Sequence, residues 1–154
     1  MREVEVVGVR VEMPTNQPLV LLRETEGTRY LPIWIGAVEA SAIAYAHQGT
    51  ATARPLTHEL MQHVVEALGD ELNEVRIVDV RDGVFFASLV FASGAEVEAR
   101  PSDSIALALR SGARIVCTED VLDEAGIAST SDEDAEVEKF REFLDDVEPE
   151  DFQE

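Results

Sequence analysis

Apolar and polar residues alternate along several stretches of this chain, with the two-residue period of a half-buried β-strand. The alternation occurs in two groups, one in the first 35 residues and one after residue 74. Between and after these groups, apolar residues follow the spacing of helices. The pattern predicts seven strands, at residues 3–13, 19–22, 30–35, 75–80, 84–91, 95–99 and 114–117.

Three residues inside or between these strands predict local irregularities. Gly8 is expected to form a β-bulge in the first strand. Pro32 has no N–H group to donate, so its strand should be an edge or be irregular at that point. Asp82-Gly83 is a strong signal for a two-residue hairpin turn.

The helical segments differ in character. Residues 36–47 are almost all small or apolar, which predicts a buried, closely packed helix. Thr57, Ser102 and Thr118 are each expected to cap a following helix, because a hydroxyl oxygen accepts a hydrogen bond from a free backbone N–H. The apolar stripe of the second helix comprises Leu60, Met61, Val64, Val65 and Leu68.

The order of elements suggests an internal duplication, since three strands, a buried helix and a second capped helix occur twice. At an offset of 64 residues Glu39 falls on Asp103, and Gly49 and Gly112 both end their helices. The prediction is an α+β fold with mixed sheets built from a duplicated β-β-β-α(-α) unit, plus a C-terminal helix. Glu39 and Asp103 would then face each other across a pseudo-twofold axis.

Charge divides the chain into two parts. The formal net charge is -20, and residues 119–154 hold 16 acids against 2 bases. We therefore assign a domain to residues 1–128 and an acidic helical tail to residues 129–154. Within the tail, Val137, Phe140 and Leu144 form one apolar stripe over residues 132–147, which requires a surface on which to be buried.

Composition narrows the compartment and the partners. Cys117 is the only cysteine, so it forms no intrachain disulfide, and its apolar surroundings predict a buried strand residue. No apolar run reaches the ~20 residues that a membrane helix needs, and the first residues read as a strand, so we expect a cytoplasmic protein without membrane contact. The only lysine is Lys139, in the tail. Nucleic-acid binding by the domain of residues 1–128 would therefore depend on its arginines, and we expect it to be weak.

Candidate chemistry lies directly before the helices, where free backbone N–H groups and a partial positive charge suit an anion such as phosphate. Glu39, Arg54 with His58, and Arg100 with Asp103 lie at three such places. Each also has a structural interpretation. The two acids suit the helix dipole, and the arginines could pair with Glu39, Asp103 or Glu59. Trp34 is expected in the core or in an interface.

The sequence lacks the common motifs of metal, nucleotide and nucleophile sites. His58 and His63 are about 140° apart on a helix and cannot share a metal ion. The chain has no zinc spacing, P-loop, dinucleotide fingerprint or nucleophile elbow. A hard divalent ion held by carboxylates remains compatible with the sequence, since Mg²⁺ needs only one or two protein ligands.

Three ordered motifs resemble those of the bifunctional nuclease (BFN-domain) family, over roughly residues 3–125. They are Leu31-Pro32-Ile33-Trp34-Ile35-Gly36 with Glu39-Ala40, then Arg54-Pro55 with Thr57-His58-Glu59-Leu60, and Ala99-Arg100-Pro101-Ser102-Asp103-Ser104 with Ile105-Ala106-Leu107-Ala108. The resemblance implies a mixed α/β fold with the duplicated unit, self-association in which a dimer is favoured, and, for some plant members, cleavage of both RNA and DNA.

Two functional hypotheses follow. The first is a nuclease that depends on Mg²⁺ or Mn²⁺, in which Glu39 and Asp103 hold the ion. In it Arg54 and Arg100 bind phosphate oxygens, and His58 transfers a proton. The second is a non-enzymatic ligand- or protein-binding scaffold module that uses the same helix ends.

Overall fold

One eight-stranded mixed sheet forms the framework of the protein in a computed structural model, which describes residues 1–12, 15–50 and 52–128. The predicted tail helix and its apolar stripe lie outside the described residues. The strands are β1 (Arg2–Glu12), β2 (Gln17–Glu24), β3 (Arg29–Trp34), β4 (Leu72–Arg81), β5 (Val84–Phe91), β6 (Glu96–Ala99), β7 (Arg114–Cys117) and β8 (Ile127–Ala128).

The sheet consists of two three-stranded antiparallel meanders joined by the short strand β7, with β8 added at the edge of β3. Its order is β6-β5-β4-β7-β1-β2-β3-β8. Strand β7 runs parallel to β4 on one side and antiparallel to β1 on the other. The alternation of apolar residues predicted seven of the eight strands. It missed β8, because two residues are too few to show a period.

The local irregularities lie where the sequence predicts them. The β1–β2 register shifts between Val6 and Gly8, which confirms the bulge. Asp82 and Gly83 both have positive φ, 52° and 78°, as a type I′ turn requires. Beyond β3, β8 pairs only with Arg29 and Tyr30, so Pro32 lies on an open strand edge within the described part of the chain.

Four helices complete the fold: α1 (Ala37–Gln48), α2 (Thr57–Ala67), α3 (Pro101–Ser111) and α4 (Glu119–Ala125). Gly49 and Gly112 end α1 and α3 in the left-handed conformation, with φ of 67° and 72°. The Thr118 side chain accepts a hydrogen bond from the Val121 N–H, which confirms that cap.

The caps predicted at Thr57 and Ser102 are wrong. The residue that precedes α2 is Leu56, and Thr57 is already helical. Helix α3 begins at Pro101, whose fixed φ suits the first helical position, so Ser102 lies inside the helix and is buried. As a result neither α2 nor α3 has a side-chain cap at its N-terminus.

Helices α1 and α3 pack against each other and against the sheet, and together they form much of the core. Ile43 of α1 and Ile105 of α3 are fully buried, and small residues such as Ala40 and Ala106 allow the close approach. The prediction of a buried α1 is correct for one face only, because Val38 on the other face is 80% exposed.

Helix α2 lies outside α3 and buries none of its residues. Its apolar stripe predicted a core-facing side, yet Leu60, Val64 and Leu68 are each about half exposed or more. The periodicity correctly identified the helix. It could not show that α3, rather than α2, occupies the position against the sheet.

The structure is consistent with the predicted duplication in outline. Each half is a three-stranded antiparallel meander followed by a packed helix. The halves differ afterwards, because β7 separates α3 from α4, whereas the described residues between α1 and α2 contain no strand. Superposition of residues 3–49 on residues 75–112 stays a prediction.

Among the residues described, no helix is long and apolar enough to cross a membrane.

Cys117 is fully buried at the end of β7, as the sequence predicts. Burial raises the pKa of its thiol to about 12. Since the thiolate is the reactive form, we expect native protein to react with a disulfide reagent near pH 8 roughly 10³-fold more slowly than a free thiol. Absorbance of the released thiolate measures this, with denatured protein as the control. Fast reaction of the native protein would contradict the burial.

Candidate functional site

The first turns of three helices contribute to one cluster of polar side chains, which we call the helix-end cluster: Glu39, His58, Arg100 and Asp103. Glu39 is the third residue of α1, His58 the second of α2, and Asp103 the third of α3. Arg100 immediately precedes α3. The packing of α3 between α1 and α2 brings these helix ends together.

Hydrogen bonds link the four side chains in a continuous chain. The His58 Nε2 lies 3.0 Å from Asp103 Oδ1. The Arg100 guanidinium donates to Asp103 Oδ2 through Nε at 3.0 Å and to Glu39 Oε1 through Nη1 at 2.9 Å. Thus Arg100 bridges the two carboxylates, and Asp103 bridges Arg100 and His58.

Charge and exposure are unevenly distributed over the cluster. Arg100 is the most exposed member, at 63%, whereas the His58 side chain is only 14% exposed. Partial burial alone would raise the pKa of Asp103, but hydrogen bonds from Arg100 and His58 outweigh it and hold the pKa below its ordinary value. Asp103 is therefore ionised at neutral pH and accepts from both neighbours.

Gly36 makes room for this arrangement at the start of α1. A Cβ atom at Gly36 would overlap the Glu39 Oε2, so a larger residue would push the carboxylate out of place. The backbone of Gly36 is extended, with φ of -84°, a conformation open to any residue. Glycine at this position therefore leaves room for the observed Glu39 side-chain conformation, and backbone conformation does not demand it.

The three helix ends also keep their backbone N–H groups free of side-chain caps. Neither Gly36, Leu56 nor Arg100, which precede α1, α2 and α3, makes a side-chain cap hydrogen bond. Uncapped N–H groups and the positive end of the helix dipole favour an anion. The cluster therefore combines three such ends with a mostly exposed guanidinium.

Arg54 is the one predicted site residue outside the hydrogen-bond chain. It is exposed in the loop before α2, and its side chain makes no hydrogen bond or ion pair with the residues that the structure describes. Of the expected structural pairings, Arg100 therefore pairs with Glu39 and Asp103, while Glu59 lies near Arg110, at 3.5 Å, and His63, at 4.0 Å.

Comparison with known proteins shows the family to which the chain belongs. Residues 20–130, which include the whole helix-end cluster, match the family described as "Bifunctional nuclease domain". The chain belongs to the bifunctional nuclease domain family. Two uncharacterized proteins of Mycobacterium tuberculosis, from strains CDC 1551 and H37Rv, are each 56% identical to it over 161 aligned residues. Each alignment covers 99% of this chain and 98% of the relative.

The Glu39 and Asp103 carboxylates of this bifunctional nuclease domain are the kind of ligand that a hard cation binds, but both already form ion pairs with Arg100. Glu39 and Asp103 supply oxygen ligands of the kind that Mg²⁺ prefers. Both bind Arg100, however, so a cation between them must first displace the guanidinium. No group of three or more His, Cys, Asp or Glu side chains suited to a metal occurs among the described residues.

Trp34 lies outside the core. It was expected in the core or in an interface, and its exposure of 54% at the end of β3 excludes the core, whereas an interface stays a prediction. The alternation itself carried the signal, because Ile33 and Ile35 point into the core and are at most 7% exposed. A residue between two inward-facing neighbours on a strand must face outward.

Proposed function

We propose that this bifunctional nuclease domain hydrolyses phosphodiester bonds in RNA and DNA at the helix-end cluster. The observation that supports this most directly is the hydrogen-bond chain from His58 through Asp103 to Arg100. It links an imidazole, a group suited to proton transfer, through Asp103 to a guanidinium, a group suited to phosphate binding, at uncapped helix ends. The family match independently favours nuclease chemistry.

Each side chain has a distinct role in this proposal. Arg100 binds a phosphate oxygen, since its guanidinium is exposed and planar. Arg54, exposed and without a carboxylate partner among the described residues, adds a second positive charge. Asp103 holds His58 through Nε2, which leaves Nδ1 to exchange a proton with water or with the leaving oxygen.

The proposal includes a divalent cation, Mg²⁺ or Mn²⁺, held by Glu39 and Asp103. When bound there, such an ion would supply Lewis-acid chemistry at the phosphate and would help to activate water. The geometry adds a requirement, because Arg100 occupies both carboxylates. A substrate phosphate that draws Arg100 away would free them, so we expect cation and nucleic acid to bind cooperatively.

A non-enzymatic binding module is the second candidate, and one observation favours it. The cluster holds two carboxylates, Glu39 and Asp103, against the single guanidinium of Arg100. Residues 1–118 also carry 16 acids against 10 bases. Weak phosphate binding without cleavage would suit this balance.

Replacement of both Glu39 and Asp103 by alanine tests the metal-dependent hydrolase. We expect the wild-type chain with Mg²⁺ or Mn²⁺ to cleave a labelled RNA and a plasmid, and the double variant to cleave neither. Calorimetry should show loss of cation binding in the double variant. The matched control is Glu96→Ala with Glu98→Ala, which removes the same charge from the exposed strand β6.

The outcomes separate the two candidates. Cation binding that persists in the Glu39/Asp103 double variant would reject the metal assignment. Absence of cleavage by the wild-type chain with either cation, together with measurable phosphate binding, would reject the hydrolase and leave the binding module.

A further inference from the structure

Trp34 lies on the face of the sheet that points away from the helices. Its neighbours Ile33 and Ile35 belong to the core cluster that the helices complete, so the alternation along the chain turns Trp34 to the opposite face. There its side chain is 54% exposed. We call this side of β1, β2 and β3 the outer face.

The strand register shows which other residues share the outer face. Leu19 and Leu21 of β2 lie directly opposite Trp34 and Pro32 of β3, and directly opposite residues point to the same side of a sheet. Tyr30 follows by the alternation along β3. None of these five residues belongs to the core cluster. The outer face therefore carries a second apolar surface, which we call the outer patch.

The described helices leave the outer patch uncovered. Helices α1, α3 and α4 contribute Ile43, Ile105 and Leu122 to the core cluster, on the other side of the sheet. Helix α2 packs on α3 and buries none of its residues. Within the described part of the chain, no helix therefore packs on the outer patch.

The C-terminal tail begins beside this patch. Strand β8 pairs with β3 through Ile127 opposite Tyr30 and Ala128 opposite Arg29. The chain therefore enters the tail next to the strand that also carries Trp34.

The tail is long enough to cross the patch. Residue 132, where the predicted tail helix starts, is four positions after Ala128 and hence within about 14 Å of it. A helix over residues 132–147 would be about 24 Å long. Arg29 and Trp34 are only about 17 Å apart along β3.

We propose that the C-terminal tail packs across the outer face and buries its apolar stripe, Val137, Phe140 and Leu144, against Trp34 and Leu21. The stripe requires a surface on which to be buried, because an isolated helix of this length is marginal in water. The outer patch is apolar, and the tail starts at its edge.

The exposed apolar side of α2 is a less suitable surface for this tail. Leu60 and Val64 are about half exposed there, but α2 packs on α3, which lies against β4 and β5 rather than against β3. Helix α2 also carries Glu59 and Glu66 and no lysine or arginine. Residues 129–154 hold 12 acids and 2 bases, so like charges oppose that contact.

Quenching of Trp34 by a label on the tail tests the proposal in the full-length chain. Glu138→Cys, next to Val137, is coupled to a nitroxide, which quenches indole emission at short range. Cys117 is buried and its thiol pKa is raised to about 12, so native protein takes the label at position 138. Trp34 is the only tryptophan, so all indole emission comes from it. We expect the nitroxide to quench most of this emission, and chemical reduction of the nitroxide to restore it.

Three variants control this experiment. Glu98→Cys carries the same label on β6, at the other end of the strand order from β3, and should leave the emission unchanged. In the labelled Glu138→Cys chain, Phe140→Ser with Leu144→Ser should abolish the quenching, because it removes most of the apolar stripe. Phe152→Ser removes a phenylalanine outside the predicted helix and should leave the quenching intact.

Other outcomes would overturn the proposal in distinguishable ways. Absence of quenching in the labelled Glu138→Cys chain would reject docking on the outer face. Quenching that survives Phe140→Ser with Leu144→Ser would reject the stripe as the contact. Quenching that disappears on dilution, and that a labelled Trp34→Phe chain transmits to unlabelled wild type, would show that the tail binds a second copy and would reject the intrachain contact.

Discussion

Replacement of His58 by alanine is expected to slow phosphodiester cleavage by about 10²–10⁴-fold, the usual contribution of a positioned proton-transfer group. The loss should appear in kcat, because Arg100 remains to bind the phosphate. Asp103 keeps its bond to Arg100, so the rest of the helix-end cluster should stay in place. Single-turnover cleavage of a labelled oligonucleotide measures the effect.

His63 provides the matched control on the same helix. Its side chain is 50% exposed and lies 4.0 Å from Glu59, away from the cluster contacts. His63→Ala should therefore change the rate less than twofold. Wild-type rates in His58→Ala protein would show that the His58–Asp103 bond only holds α2 to α3.

Glu24 carries the largest expected effect on stability. Its carboxylate is 3% exposed and accepts from Arg29 Nε at 2.6 Å and from Arg2 Nε at 3.0 Å. Removing one partner of a buried ion pair commonly costs ~3–5 kcal/mol. Arg29 retains Glu119 and Asp123 as partners, so we expect Glu24→Gln to lower the free energy of unfolding by about 3 kcal/mol.

Urea unfolding near neutral pH measures this, and Glu26→Gln is the control. Glu26 is exposed, and within the described part of the chain its contact with Arg2 is made by its backbone oxygen alone, so its replacement should change stability by less than ~0.5 kcal/mol. A similar loss in both variants would contradict the assigned role of Glu24.

The effect of Glu24 should depend on pH with a definite sign. The hydrogen bond from Arg29 is the largest cause that lowers the pKa of Glu24; burial opposes it, and Arg2 adds to it. The unfolded chain therefore binds the proton more tightly than the folded one. The contribution of Glu24 is complete above the ordinary glutamate pKa of ~4.3 and is lost as pH falls through the lower folded-state value. Wild type and Glu24→Gln should converge in stability under acidic conditions.

Local pattern predicted most of this fold because most of its strands pair with sequence neighbours. Strand β5 spans the predicted residues 84–91, and the Asp82-Gly83 turn joins it to β4. The position of β7 between β4 and β1 was beyond local reasoning, since both pairings join residues at least 40 positions apart. The exposure of α2 could not be predicted for a similar reason. The sequence of α2 or of α3 alone does not show which of the two helices packs on the sheet.

The sequence predicted which residues form the candidate site better than it predicted how those residues are arranged. Residue type and position before helices identified Glu39, His58, Arg100 and Asp103 as candidates. The bridging of both carboxylates by Arg100 depends on how α1 and α3 pack, which no spacing reveals. The core alternative for Trp34 was wrong for a different reason, because aromatic residues are usually buried and that tendency outweighed the alternation around it.

The central place of β7 has a consequence for the order in which the newly synthesised chain folds. Until residue 117 has left the ribosome, the edges of β1 and β4 that β7 later joins both lack a partner. Exposed strand edges are templates for pairing with other chains. The four residues of β7, Arg114–Cys117, therefore join β4 to β1, and the preceding 113 residues leave those two strands unconnected in the sheet. During synthesis, whether the chain aggregates therefore depends on what first binds the open edges of β1 and β4.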